Sequence, residues 1–375
     1  MLSKNKVFHI ILSSLGLLTL PMQIQANDIK TSGFGSIGFS FTDSETPYLR
    51  EMLTEDPSYI ADAIIGLQFS GELQSGVEYF AQLIAKDSNG HFDANADWLL
   101  VSFPINETLK IRGGRLRLPL FFLSKQIEVG NTYPWIRPPA EIYEMIEYTG
   151  YTGFDLLYSF VWNTINIQIQ PFVGQTTEEI VVDLLPGGPA EITTDENFGL
   201  ALQISEGLTK FRFAYFKADA TVNPNASFSD VLNILAVPTT AFTSDRKAEY
   251  VAAGLQFEND KWIIIAEAAK RKITPSSLPD MSSYYIVFAR YFTDSILIHT
   301  TFAVRNADGR DTLGVGFQEQ ETTTLGIKYS PSLDSTFKVE WSYGNPINGS
   351  AGMFRSIVSA LEDVNVFGFV YDWTF

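Results

Sequence analysis

Apolar and polar residues alternate with a period of two along most of the chain beyond residue 27. From Asn163 to Phe172, Ile165, Ile167 and Ile169 fall on one side and Asn166, Gln168 and Gln170 on the other. Phe198, Leu200, Leu202 and Ile204 interleave with Gly199, Ala201, Gln203 and Ser205, and Phe211, Phe213 and Tyr215 with Lys210, Arg212 and Ala214. Ile296 to Val304 and Phe337 to Tyr343 repeat the pattern. Successive strand side chains point to opposite faces, so each segment predicts a strand with one apolar and one polar face. Lysine, arginine and glutamine on the second face are out of place in a soluble core, where unpaired charge is rarely buried, and in place on a face that lines water.

The connections are sorted by length. Tight turns fall near Gln74-Ser75-Gly76, Pro104 to Thr108, Trp162-Asn163, Glu206-Gly207, Asn259-Asp260, Thr293-Asp294 and Pro331 to Asp334. Between them lie longer polar links at about 43–58, 87–95, 119–148, 174–195, 219–246, 272–280, 306–320 and 344–361. Seven turns and eight loops make sixteen strands with both ends on the short-turn side. An even number of antiparallel strands, tight turns at one end, long loops at the other and apolar-out, polar-in alternation predict one closed antiparallel transmembrane β-barrel. A soluble sandwich has no reason to sort its loops by side.

The final stretch, VNVFGFVYDWTF, places Phe367, Phe369, Tyr371, Trp373 and Phe375 on one face and Gly368, Val370, Asp372 and Thr374 on the other. In a closed barrel this aromatic face looks outward to lipid, and the strand pairs with the first one, about 29–42, so that no edge remains in hydrocarbon. Tyr371, Trp373 and Phe375 fall near the interface, where aromatic girdles collect.

Composition changes the picture in three ways. Lys4 and Lys6 precede an apolar stretch, Val7 to Leu20, and Ile24-Gln25-Ala26 offers a small-residue cleavage site, the arrangement of an export signal. The expected domains are therefore a cleaved leader at 1–26 and a barrel at 27–375. Cleavage removes 26 of 375 residues to leave 349, and takes two lysines and no acid, moving the net charge from -17 to -19. The chain has no cysteine, so disulfides play no part in it. Its acidity disfavours nucleic acid as a partner.

Candidate chemistry concentrates in the fifth strand and the link after it. Lys110-Ile111-Arg112-Gly113-Gly114-Arg115-Leu116-Arg117-Leu118 carries four cations whose parity changes at the glycine pair. A β-bulge at Gly113-Gly114 would bring Lys110, Arg112, Arg115 and Arg117 to the lumen as one ladder. The link at 119–148 is too apolar to hang in water, and Pro134, Pro138 and Pro139 keep it from becoming a strand. Folded into the barrel, it would carry Glu128, Glu141, Glu144 and Glu147 toward the ladder, the last three at helical spacing.

These features resemble Gram-negative outer-membrane porins of the sixteen-stranded, usually trimeric class. The resemblance rests on strand count, loop sorting, terminal Phe375 and a long third loop after a basic strand, and it spans the chain beyond residue 26. It implies an integral barrel in the outer membrane, a water-filled channel for ions and small hydrophilic solutes, a homotrimer, and no cofactor. It further implies contact with outer-membrane lipid and lipopolysaccharide, and a C-terminal strand read by the barrel-assembly machinery. The third loop would form the constriction, with Glu128, Glu141, Glu144 and Glu147 opposite Arg112, Arg115 and Arg117. The family's short acidic loop signature is absent, which marks a divergent branch.

The closest competitor is a substrate-specific channel for anionic solutes or sugars. A lipid-acting barrel enzyme is a more distant one, since His91 and His299 lack a nucleophile motif such as G-x-S-x-G. Asn306 to Asp311 and Asp93 to Asp97 lack the spacing of a calcium loop and read as turns at strand ends. The absence of a plug domain before the first strand, and a count below ~22 strands, separate the chain from TonB-dependent transporters.

Overall fold

The computed structural model of the chain describes residues 29–73, 76–88, 91–181, 189–226, 229–230, 233, 246–274, 279–308, 318–355 and 362–375; the expected leader at 1–26 lies outside them. Sixteen strands follow in chain order: β1 (Lys30–Thr42), β2 (Ile64–Glu72), β3 (Glu78–Ser88), β4 (His91–Pro104), β5 (Leu109–Arg117), β6 (Gly150–Trp162), β7 (Ile165–Val181) and β8 (Pro189–Glu206). They continue as β9 (Thr209–Pro224), β10 (Arg246–Glu258), β11 (Trp262–Thr274), β12 (Asp280–Thr293), β13 (Ile296–Asp308), β14 (Gln320–Ser332), β15 (Ser335–Pro346) and β16 (Val364–Thr374). Each pairs antiparallel with its chain neighbours, and the sheet closes where β1 meets β16, from Phe34 opposite Thr374 to Thr42 opposite Val366. Gly33 and Phe375 exchange backbone hydrogen bonds in both directions to finish the seam. The closed sixteen-stranded barrel and its seam are as the alternation predicts.

The two faces differ in the expected sense. Phe154, Leu156, Leu325, Ile327, Val339 and Phe367 stand exposed on the outside, while the residues between them turn inward. Such a belt far exceeds the apolar patches that soluble monomers leave in water, and it matches a lipid-facing surface. At the short-turn end the outer face becomes aromatic. Tyr371 and Trp373 stack at 5.7 Å, Phe337 lies 4.7 Å from Tyr371, and Arg290 sits over the rings of Trp262 and Phe292.

Three links are more regular than their composition suggests. β3 runs to Ser88 and β4 begins at His91, so most of 87–95 is ladder. Likewise β7 continues to Val181 and β8 starts at Pro189, and β11 ends at Thr274 with β12 starting at Asp280. Above an apolar belt both faces of a hairpin can be wet, so Thr176-Thr177 opposite Thr193-Thr194 continues the ladder without an apolar face.

The bulge expected at Gly113-Gly114 is not there. β5 keeps register with β4 and β6 through the glycine pair, and the extra residue lies one ladder away, at Asp97 of β4, where that strand pairs with Gln82 and Leu83 of β3. Gly114 instead takes φ +132°, with a Cβ there falling 2.2 Å from the carbonyl oxygen of Leu99. A left-handed residue with no side chain lets the strand turn locally without a slip in pairing.

Candidate functional site

The link between β5 and β6, here loop 3, folds into the barrel. A 3-10 turn at Gly130–Thr132 and one helical turn, α1 (Ala140–Tyr143), punctuate it. Its prolines prevent strand pairing, so its apolar side chains are buried against the inward faces of the wall instead. Leu120, Phe121, Leu123, Trp135, Ile142 and Tyr143 join one buried cluster with Tyr250, Ala252, Ile265, Tyr285, Val287 and Ala303. Trp135 is 1% exposed, donates from Nε1 to Thr301 Oγ1 at 2.7 Å, and meets Tyr285 edge-on. Gly254 leaves room for the Phe122 ring, which a Cβ would meet at 2.4 Å.

Wall cations hold the backbone of the loop. Arg212 donates to the Pro119 carbonyl at 2.6 Å, Arg271 to Met145 at 2.8 Å, and Arg305 to Ala140 and Glu141 at 2.7 and 3.0 Å. Lys328 reaches Asn131 at 2.5 Å, and Lys338 reaches Gly130 and Trp135 at 2.6 and 2.5 Å while pairing with Asp372 at 3.0 Å. Charge-assisted bonds of this kind satisfy loop carbonyls that no strand partner serves. These residues sit on β9, β11, β13, β14 and β15, far from the loop in sequence. Their only sequence signal is a cation on the inward parity of a strand, which does not say what it will meet.

The fifth-strand cations each find a carboxylate. Lys110 pairs with Glu78 at 2.7 Å, Arg112 grips Asp155 through Nε and a terminal nitrogen at 2.8 and 2.5 Å, and Arg115 reaches Glu178 at 2.7 Å. Arg117 lies between Asp97 at 2.5 Å and Glu128 at 2.9 Å, with Lys86 also on Glu128 at 3.0 Å. Of the four loop glutamates, Glu128 is thus the one brought to these cations. Glu141 accepts from Thr322 and Gln320, Glu144 pairs with Arg355 at 3.0 Å, and Glu147 pairs with Arg50 at 2.9 Å. The last two partners belong to the first and eighth loops, so these acids tie loop 3 to other loops. Burial would raise the pKa of Glu128, but Lys86 and Arg117 more than offset it and hold the carboxyl well below the usual range.

Phe367, Phe369, Tyr371 and Trp373 occupy the outward face of β16 with Phe375 just past its end, and Asp372 points inward, bonded by Ser36 and Lys338. His299 faces the lumen at 2% exposure, beside Trp135 and 3.6 Å from Glu340. It therefore cannot meet lipid on the outer wall. Among the described residues no three His, Cys, Asp or Glu side chains group as a metal site requires. The side chain of His91 lies outside the described set.

No family model and no curated protein matches the chain. Solved structures do. An anion-selective porin from Comamonas acidovorans superposes with a TM-score of 0.61 at 12% identity, covering 93% of this chain and 99% of that one. Salmonella typhi OmpF in complex with daunomycin gives 0.59 at 13%, covering 92% and 98%. The trimer form of OmpT, an outer membrane protein of Vibrio cholerae, gives 0.52 at 11%, covering 93% and 99%. At such identities the likeness establishes architecture, and the architecture is that of the sixteen-stranded outer-membrane porins.

Proposed function

We propose that this chain is an outer-membrane porin, a channel through which ions and small hydrophilic solutes diffuse passively, with no chemical step. The observation that carries this reading is a closed barrel with an apolar outer belt and charged side chains on the inner wall, partly occupied by its own third loop. Lys110, Arg112, Arg115, Arg117 and Glu128 are assigned to the narrow part of the lumen, and Glu141, Glu144 and Glu147 to anchoring the loop beside it. The aromatic face of β16 is assigned to membrane insertion and recognition by the assembly machinery, and residues 1–26 to a cleaved export signal. A homotrimer and contact with lipopolysaccharide accompany this reading, the trimer supported by the similarity to a protein solved in trimer form. His299, turned inward beneath loop 3, supports a channel over a lipid-acting enzyme.

Swelling of liposomes that hold the refolded, heat-modifiable protein tests this directly. Uptake of neutral sugars at rates that fall with sugar size is the expected result. Liposomes that fail to swell in the smallest sugar, with folded protein present, would overturn the channel reading.

A further inference from the structure

Toward the short-turn end, the outer face of β12 carries a cation. Burial alternates along this strand, with Tyr285, Val287 and Ala289 buried and Tyr284, Phe288 and Arg290 exposed, so Arg290 points to the lipid side. It stands opposite Trp262 of β11 and Ile298 of β13, each 39% exposed. Phe288 and Phe292 precede and follow it on the same face. These four neighbours are all apolar, whereas the cations of the lumen have carboxylates or carbonyls beside them.

The guanidinium is held against the wall by rings. Its central carbon lies 5.2 Å from the centroid of the Trp262 ring and 5.3 Å from that of Phe292, within the range of cation–π attraction. The rings fix where the charge sits but offer no oxygen to its five N–H donors. Among the described residues no carboxylate, carbonyl or hydroxyl accepts from this guanidinium, and Asp294 in the following turn makes no ion pair with it.

Depth in the membrane says what the missing acceptor is. Arg290 precedes Thr293, the last residue of β12, by about 10 Å of strand at ~3.3 Å per residue. That is the level of the aromatic girdle, where a charge on the lipid face costs far less than at the midplane and where lipid headgroups begin. A planar guanidinium stacked on aromatic faces matches phosphate oxygens through paired N–H donors, and such charge-assisted bonds are the strong ones.

We propose that Arg290, with Trp262 and Phe292, forms a site on the outer wall for the phosphate of a glycerophospholipid, in the leaflet at the short-turn end. Arg290 donates to two phosphate oxygens, the two rings hold its fork in place, and the apolar wall around Phe288 and Ile298 packs the acyl chains. The site lies outside the lumen and stands apart from the channel reading, so each can fail without the other.

The test is native mass spectrometry of the refolded, heat-modifiable protein in detergent, titrated with phosphatidylglycerol. The wild type should keep one lipid per chain at activation energies that strip the remainder. Arg290→Gln should lower that retention about tenfold, the scale of a lost hydrogen bond to a charged group. Arg290→Lys should fall between the two, because an ammonium keeps the charge but loses the fork. Trp262→Leu, which leaves the cation but removes one ring, should lower retention several-fold. Lys261→Gln, a rim cation one residue before Trp262, should leave it unchanged. A wild type that keeps no lipid overturns the site, as does an Arg290→Gln barrel that keeps its lipid as the wild type does. Equal losses in Lys261→Gln and Arg290→Gln would show a diffuse attraction to rim charge, and would overturn it as well.

Discussion

Glu128 shows what one side chain can decide. It is the loop carboxylate that Lys86 and Arg117 clamp, and the clamp holds it ionised where an ordinary glutamate, near 4.3, would be taking up protons. A carboxyl whose pKa falls on folding contributes stability above its unfolded value and loses it only as pH drops through the lowered one. Amide exchange of Val129 and Gly130, corrected for intrinsic rates, should accordingly stay slow from pH 7 down to 4. Loss of protection at pH 4 would show that the clamp does not hold this part of the loop. The sequence makes Glu128 one of four equivalent candidates. What distinguishes it is the local path of the chain after Arg117, and no residue pattern encodes that path.

Loop 3 acts as an element because cations from five distant strands hold its carbonyls. Lys338 holds two loop carbonyls and Asp372 at once, and its side chain is almost wholly enclosed. Lys338→Met removes both bonds and leaves Asp372 with Ser36 as its remaining donor. Breaking a buried pair by one partner costs about 3–5 kcal/mol. We expect the barrel to fold and stay heat-modifiable, while single-channel current becomes noisier as the 130–135 segment loosens. Unchanged noise, with a stability loss under ~1 kcal/mol, would show that the loop is held by its apolar packing alone. The apolar character of the loop is plain in the sequence, and so is the inference that it packs inside. Its backbone anchors are not, because Arg271, Arg305 and Lys328 read simply as lumen-facing cations until the loop is placed against them.

For the whole molecule, the outward belt decides the environment. Leu325 is exposed in the middle of β14, opposite Thr300 and Trp341 on the neighbouring strands. Leu325→Arg should cost about 2–4 kcal/mol by urea unfolding in bilayers if that position lies near the midplane. A cost near zero would place this face against something other than lipid. The period-two pattern, the sorting of connections and the aromatic last strand determine the barrel, its strand number and its seam without reference to coordinates. They do so because strand parity is a local property: each residue's face follows from its neighbours two positions away. The tertiary structure alone decides which lumen charges are neutralised, where the register slips, and which loop side chain meets the water. Those outcomes depend on residues brought together from as far apart as Gly130 and Lys338, and pairing at that distance is set by the path of the chain through the closed wall rather than by any local pattern.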